Sequence, residues 1–244
     1  MNRIEHIIDP TRLLLVWQAP DGVERSKFVV GELLNQEGNV LFRYLPETED
    51  FKQAQAHGFT CYPAFRKTDD EYSDSVMDSF LRRLPPRKRG DFAKYLAQWC
   101  IPSETELTDF SLLSYSGAKL PIDGFSIIWP FDEVSAPCEV LIEVAGFRYQ
   151  KNVSINDLAE GMPVCFAPEP DNDKDPKAIR IEANGKRIGY VNRVQRDAVS
   201  HWLGRYAVEA CIERLNGTAD RPIVYVFCRL SESGTGQLLK QAAG

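Results

Sequence analysis

The sequence predicts two domains of different class: an α+β first half, a small antiparallel sheet with helices, and a mostly β second half, a small barrel with one helix. Three observations carry this. Strand-like runs of Val, Leu, Phe and Tyr alternate with turn residues at the start of the chain and through its second half. Apolar residues recur at helical spacing in the middle of the first half and once in the second. Between the halves lies WPFDEVSAP (129–137), with two prolines and few core-forming positions, which places domains at 1–135 and 136–232 and a tail at 233–244.

The first strands are RLLLVWQ (Arg12–Gln18), SKFVVGELL (Ser26–Leu34) and NVLFRYL (Asn39–Leu45). APDG and NQEG supply turn chemistry between them, so a three-stranded meander is expected. In SDSVMDSFLRRLPP, Val76, Met77, Phe80, Leu81 and Leu84 form one helical stripe, with Ser73 or Ser75 as cap. Pro85 and Pro86 stop that helix. DFAKYLAQWC gives a second helix with Phe92, Tyr95, Leu96 and Trp99 on one face, TDFSLLSY a third, and GFSIIWP a returning strand. In the second half, CEVLIEVAGF, MPVCFAP, KAIRIEA, RIGYVN, VEACIERL and IVYVFCRL are β-rich, and Asn184–Gly185 is a hairpin signal. RVQRDAVSHWLGRY fits one helix, striped by Val194, Ala198, Val199 and Leu203. The tail SESGTGQLLKQAAG is expected to fray.

Composition narrows function. The chain is 43% apolar and 26% charged, ordinary for a soluble globular protein. No apolar run reaches the roughly 18 residues of a membrane helix, and MNRIEHIIDPTR lacks a signal-peptide core. A cytoplasmic protein without a membrane partner is expected. Residues 1–137 hold 15 Lys+Arg against 21 Asp+Glu, whereas residues 138–229 hold 13 of each. No general nucleic-acid-coating footprint is present, so any such role must be local. The six cysteines include no CxxC pair and there are three histidines, which argues against a metal site. The thiols are expected to be buried and reduced. GxGxxG and Walker A motifs are absent and no nucleophile–base pair stands out, so the expected protein is not an enzyme and uses no cofactor.

EPDNDKDPKAIRIE (Glu169–Glu182) needs separate treatment. Asp171, Asp173, Asp175 and Glu182 fall at four of the side-chain positions of a calcium loop. Pro176, however, stands where such a loop turns on Gly, and Glu182 falls inside a strand-like run. The alternatives are another weak divalent site or a polar connection built from Asx-turns.

Its surroundings resemble the HIRAN family. The matching residues are Gly146 and Tyr149, Leu158 and Gly161, then Glu169, Pro170, Asn172, Asp175, Ala178 and Ile179, and finally Gly189 and Tyr190. The resemblance spans about Val140 to Arg229 and implies an OB/SH3-like small barrel that grips single-stranded DNA at its 3′ end. It implies that Arg148 and Tyr149 contact the terminal nucleotide and that Asp175 meets the 3′-hydroxyl. Arg148, Lys174, Lys186, Arg187 and Arg193 would then hold the nearby phosphates, and Tyr190 is a further candidate DNA contact. Gln150 and Lys174 stand where end-binding members carry tyrosines. For Asp175, a turn-forming role capping the Lys177 or Ala178 N–H is the alternative, and the two can coexist.

The first half resembles the N-terminal subdomain of HipA-type toxin kinases through Val30, Gly31 and Leu33; Phe42 and Tyr44; Arg83, Leu84 and Pro85; and Leu112, Leu113 and Gly117. The catalytic core of those kinases is absent. The resemblance implies an accessory or antitoxin protein that docks a HipA-like kinase, alongside a helix-turn-helix antitoxin. Tyr62, Phe65 and Tyr72, in HGFTCYPAFRKTDDEYSD, are the expected contacts; the alternative tucks Tyr62 and Phe65 into the core. The competing reading is a DNA-end-binding repair module with a structural first half.

Overall fold

The computed structural model describes residues 2–20, 27–120, 123–218 and 220–232. The expected tail at 233–244, and the APDG turn from Asp21 onward, lie outside them. The chain divides into two compact units: residues 9–95 with 104–130, and residues 1–8, 96–103 and 131–244.

The first unit contains β1 (Arg12–Gln18), β2 (Lys27–Gln36), β3 (Asn39–Tyr44), α1 (Glu49–Ala56), β4 (Glu71–Tyr72), α2 (Val76–Leu81), α4 (Asp109–Ser116) and β5 (Phe125–Ile128); α3 (Phe92–Ala97) begins in it. Its sheet is antiparallel in the order β4-β3-β2-β1-β5. The expected meander is its centre, and the returning strand pairs with β1. Leu13 to Val16 are all buried, so β1 is covered on both faces. Helix α1 was not expected. It starts on the Thr48 side chain, which accepts the Phe51 N–H, and it buries only Phe51 and Ala54 as apolar residues. That is too sparse a stripe to stand out as a period. Ser75 does precede α2, but with φ 54° and no side-chain bond, so it does not act as a cap.

An aromatic cluster fills this unit. Phe42 lies 4.8 Å from Tyr44 and from Phe65, and Tyr62 lies 4.9 Å from Phe80. The Tyr44 hydroxyl donates to the Phe65 carbonyl and accepts the Tyr62 N–H. Tyr62 and Phe65, expected as partner contacts, are therefore core residues. Tyr72 is half-buried, and its hydroxyl accepts the Lys67 N–H and donates to the Lys67 carbonyl.

The second unit contains β6 (Cys138–Glu143), β7 (Val164–Pro168), β8 (Ile179–Ala183), β9 (Lys186–Tyr190), α5 (Arg196–Arg205), β10 (Tyr206–Gly217) and β11 (Pro222–Glu232). They form two three-stranded sheets, β10-β11-β6 and β7-β8-β9. Single bridges at Ala145–Tyr190 and Pro163–Cys211 join the sheets at both ends. The six strands thus close into the expected small barrel, filled by Val140, Ile142, Ile181, Ile188, Ile212 and Val226. Helix α5 buries Val199 and Trp202, and Trp202 packs 5.3 Å from Phe131. Leu203 and Val194, expected in that stripe, are half-exposed. The N-terminal segment is strapped to this unit by Glu139, which accepts the Glu5 and His6 N–H groups. All six thiols are free; Cys100, Cys138 and Cys228 are buried as expected, but Cys165 is exposed. Among the described residues no helix is long and apolar enough to cross a membrane.

Candidate nucleic-acid interface

The loop after β7 is held by its own side chains. Asn172 Oδ1 accepts the Lys174 N–H at 3.1 Å and the Asp175 N–H at 3.0 Å. Asp175 Oδ1 accepts the Lys177 N–H at 3.0 Å. Glu169 N–H donates to the Ala178 carbonyl at 2.9 Å and closes the loop. These are Asx-turns, which pre-form a polar connection. Asp171 and Asp173 are exposed. Glu182 is on β8 and bonds Arg180, so it does not complete a calcium loop. Among the described residues no group of three or more His, Cys, Asp or Glu is placed to hold a metal.

Strand β9 brings cations to this loop through a bulge. Gly189 pairs with Ile181 and Arg187 with Glu182, leaving Ile188 as an extra residue. In a regular strand, residues three apart face opposite sides. The bulge restores Arg187 and Tyr190 to one face. Gly189 has φ 149°, and a Cβ there would meet the Ala145 carbonyl oxygen and Val144 Cγ1 at 2.5 Å, so only glycine fits.

The result is a network. Tyr190 hydroxyl donates to Glu169 Oε2 at 2.9 Å, and Asn172 Nδ2 donates to the same oxygen at 2.6 Å. Arg187 Nη1 reaches Glu169 Oε1 at 3.1 Å and the Tyr190 hydroxyl at 2.7 Å, and its guanidinium lies 5.2 Å from the Tyr190 ring centre. The Asn172 bond, with those from Tyr190 and Arg187, outweighs desolvation and holds the Glu169 carboxyl below its usual range. Burial, then the bond to Glu169, pushes the Tyr190 hydroxyl up, so it stays a protonated donor.

A turn after β6 adds the exposed part. Gly146, at φ 76°, starts the 3₁₀ turn Phe147–Tyr149. Phe147 is buried and anchors it, which leaves Tyr149 outside. Tyr149 is 66% accessible, the one exposed large hydrophobic side chain among the described residues. Arg148 bonds its hydroxyl and lies 4.6 Å from its ring centre. Gln150 Oε1 accepts from Arg187 Nε at 3.1 Å, and Ala145 pairs with Tyr190, so the turn is tied to β9 twice.

Of the residues singled out from sequence, Arg148, Tyr149, Asp175 and Tyr190 fall into these contacts. Lys174, Lys186 and Arg193 are exposed along the same segments; Lys186 sits at the hairpin end, where alternation sets it opposite Arg187. Arg196 was missed. It opens α5 and forms an ion pair with Asp175 Oδ2, so both Asp175 oxygens have partners. No local signal marks it, because 21 residues separate it from Asp175. Gln150, noted only as a lost tyrosine, proves to be the link to Arg187.

Residues 139–227 match the family model for the HIRAN domain. The crystal structure of the HIRAN domain of human HLTF is similar at 17% identity and a TM-score of 0.33, covering 43% of this chain and 89% of that one. A crystal structure of a Lactobacillus plantarum protein is similar at 23% identity and a TM-score of 0.31, covering 38% and 92%. No curated protein matches the chain. The resemblance of the first half to a HipA-type subdomain draws no support from these comparisons. The family match and the six-stranded closure agree on one segment: residues 139–227 are a HIRAN domain.

Proposed function

We propose that the HIRAN domain binds single-stranded DNA, at its 3′ end, without catalysing a reaction. The observation that carries this is Tyr149, exposed with a guanidinium against its ring and tied to the Arg187–Tyr190–Glu169 network. An exposed aromatic face beside cations offers a base a stacking platform and its phosphate a counter-charge. Asp175 takes the hydroxyl-accepting role that the family resemblance implies. Each of its oxygens keeps acceptor capacity beyond its present bond. Arg196 offsets the repulsion that a bare carboxylate would exert on phosphate. Gln150 and Lys174 replace two stacking positions, so Tyr149 carries most of the grip.

Kinase docking by the first unit, with the antitoxin it would accompany, would have only the half-buried Tyr72 as an anchor among the residues expected to supply one, since Tyr62 and Phe65 are buried. Fluorescence anisotropy with labelled oligonucleotides tests the DNA reading. Tyr149→Ala should weaken binding by about 5- to 150-fold, the equivalent of one lost stack of roughly 1–3 kcal/mol. A 3′-phosphate should bind less well than a 3′-hydroxyl. Equal affinity for both ends would remove Asp175 from the site, and an unchanged Tyr149→Ala would remove the site itself.

A further inference from the structure

The first unit carries a local positive pole in an acidic background. Between Arg82 and Lys94 the chain holds six cations, Arg82, Arg83, Arg87, Lys88, Arg89 and Lys94, against one acid, Asp91. The rest of residues 1–137 holds nine cations against twenty acids. Arg83 is consumed internally by Asp123. The other five are exposed.

The segment is built, not loose. Pro86 carbonyl accepts the Arg89 N–H at 2.9 Å, and the Arg89 carbonyl accepts the Phe92 N–H at 3.0 Å, giving two successive turns. Arg87 is fixed by Asp109 Oδ1 at 2.6 Å and by the Leu107 carbonyl at 2.8 Å. In that position its guanidinium lies 5.9 Å from the Phe92 ring centre. Phe92 in turn lies 5.9 Å from Tyr95, and both rings are half-exposed. The sequence places these two aromatics on one helix face with Leu96 and Trp99, yet α3 buries only Leu96.

We propose that this segment is a second single-stranded nucleic-acid contact, in which Arg82, Lys88 and Lys94 take phosphates and the Phe92–Tyr95 pair takes a base. Interleaved cations and half-exposed aromatic rings are the combination that binds single strands irrespective of sequence. Protein interfaces and membrane surfaces also combine cations with aromatic rings, so both are set against the oligonucleotide as competitors. All its residues belong to the other unit.

The full chain is titrated with fluorescein-labelled oligodeoxythymidylate across a salt series. The charge-reversed chain Arg82→Glu/Lys88→Glu/Lys94→Glu should show a log–log salt slope shallower by about 2, since each single-strand phosphate contact contributes about 0.7. The milder Lys88→Gln/Lys94→Gln chain should shift it by about 1.4, again at 0.7 per contact. Phe92→Leu should weaken binding several-fold with the slope unchanged. Unchanged slopes in both charge variants, with far-ultraviolet circular dichroism intact, overturn the proposal. So does equal displacement of the oligonucleotide by polyglutamate at matched charge, or equal capture by phosphatidylserine vesicles, because a plain cation patch then explains everything. Loss of binding in Tyr149→Ala without slope loss in the charge variants leaves the barrel site standing alone. The converse leaves this segment standing alone.

Discussion

At Gly189 one missing Cβ decides where two side chains point. The bulge that it permits places Arg187 beside Tyr190, and its backbone passes against Ala145, the residue that pairs with Tyr190. Gly189→Ala would force a Cβ to 2.5 Å from a carbonyl oxygen at a φ of 149°. Neither the backbone nor Val144 can yield cheaply, so the expected cost is about 3 kcal/mol. For a chain of this size that lowers Tm by roughly 6–12 °C, measured by scanning calorimetry, and on the proposed function it should also weaken oligonucleotide binding. An unchanged Tm would show that the close approach is not a constraint. The glycine is visible in the sequence as part of a Gly-Tyr strand motif. Its reason is not visible, because the clashing atoms sit 44 and 45 residues earlier in the chain. Arg196 escaped for the same cause: its partner Asp175 is a neighbour only after the barrel closes.

Elements were legible wherever local chemistry and periodicity agreed. The β1–β2–β3 meander and the Asn184–Gly185 hairpin follow from alternation and turn residues, whereas helix α2 already ends at Leu81, before the Pro85–Pro86 pair expected to stop it. Helix α1 has two buried apolar side chains and therefore a weak period, and its real signal is the Thr48 cap followed by Glu49 and Asp50. Helix α2 holds its place by a different device. Arg83, just past its end, is buried and donates to Asp123 at 2.6 and 2.9 Å, to the Ala118 carbonyl at 2.8 Å and to the Phe125 carbonyl at 2.7 Å. It thereby ties the helix end to the strand β5 and the turn before it. Removing the guanidinium strands two carbonyls and a carboxylate. Arg83→Met should cost about 3 kcal/mol, the low end for a broken buried pair because Asp123 remains partly in water. The double variant Arg83→Met/Asp123→Asn should recover part of that loss, since the stranded charge is gone. Additive losses in a urea-denaturation cycle would mean that the two side chains do not act as a pair.

Across the molecule, the buried charged side chains among the described residues are mostly carboxylates, Glu32, Asp50 and Glu139 against Arg83, and this sets how the protein meets acid. Burial raises the Glu32 carboxyl, but Arg12 at 2.7 Å and Arg43 at 2.8 Å outweigh it and the net shift is downward. Burial likewise raises Asp123 and Glu139, and the Arg83 bonds in one case and the Glu5 and His6 bonds in the other reverse it. Glu169 is lowered chiefly by Asn172. Two of the four lie in each unit, so neither escapes. A carboxyl whose pKa is lower folded than unfolded stabilises the protein above the unfolded value, and that contribution is lost as pH falls through the folded one. With unfolded values near 4, stability should be level between about pH 5 and 7 and should fall steeply below about 4.5. Glu32 and Glu139, the most enclosed, should contribute most, and Glu169, near the surface, least. Urea midpoints measured across this range give the check. Glu139→Gln should be less stable than the parent at neutral pH and should show a shallower acid limb, because one proton uptake has been removed. A midpoint that holds steady from pH 6 down to about pH 3 would mean that these carboxyls are not held in their charged form by the fold.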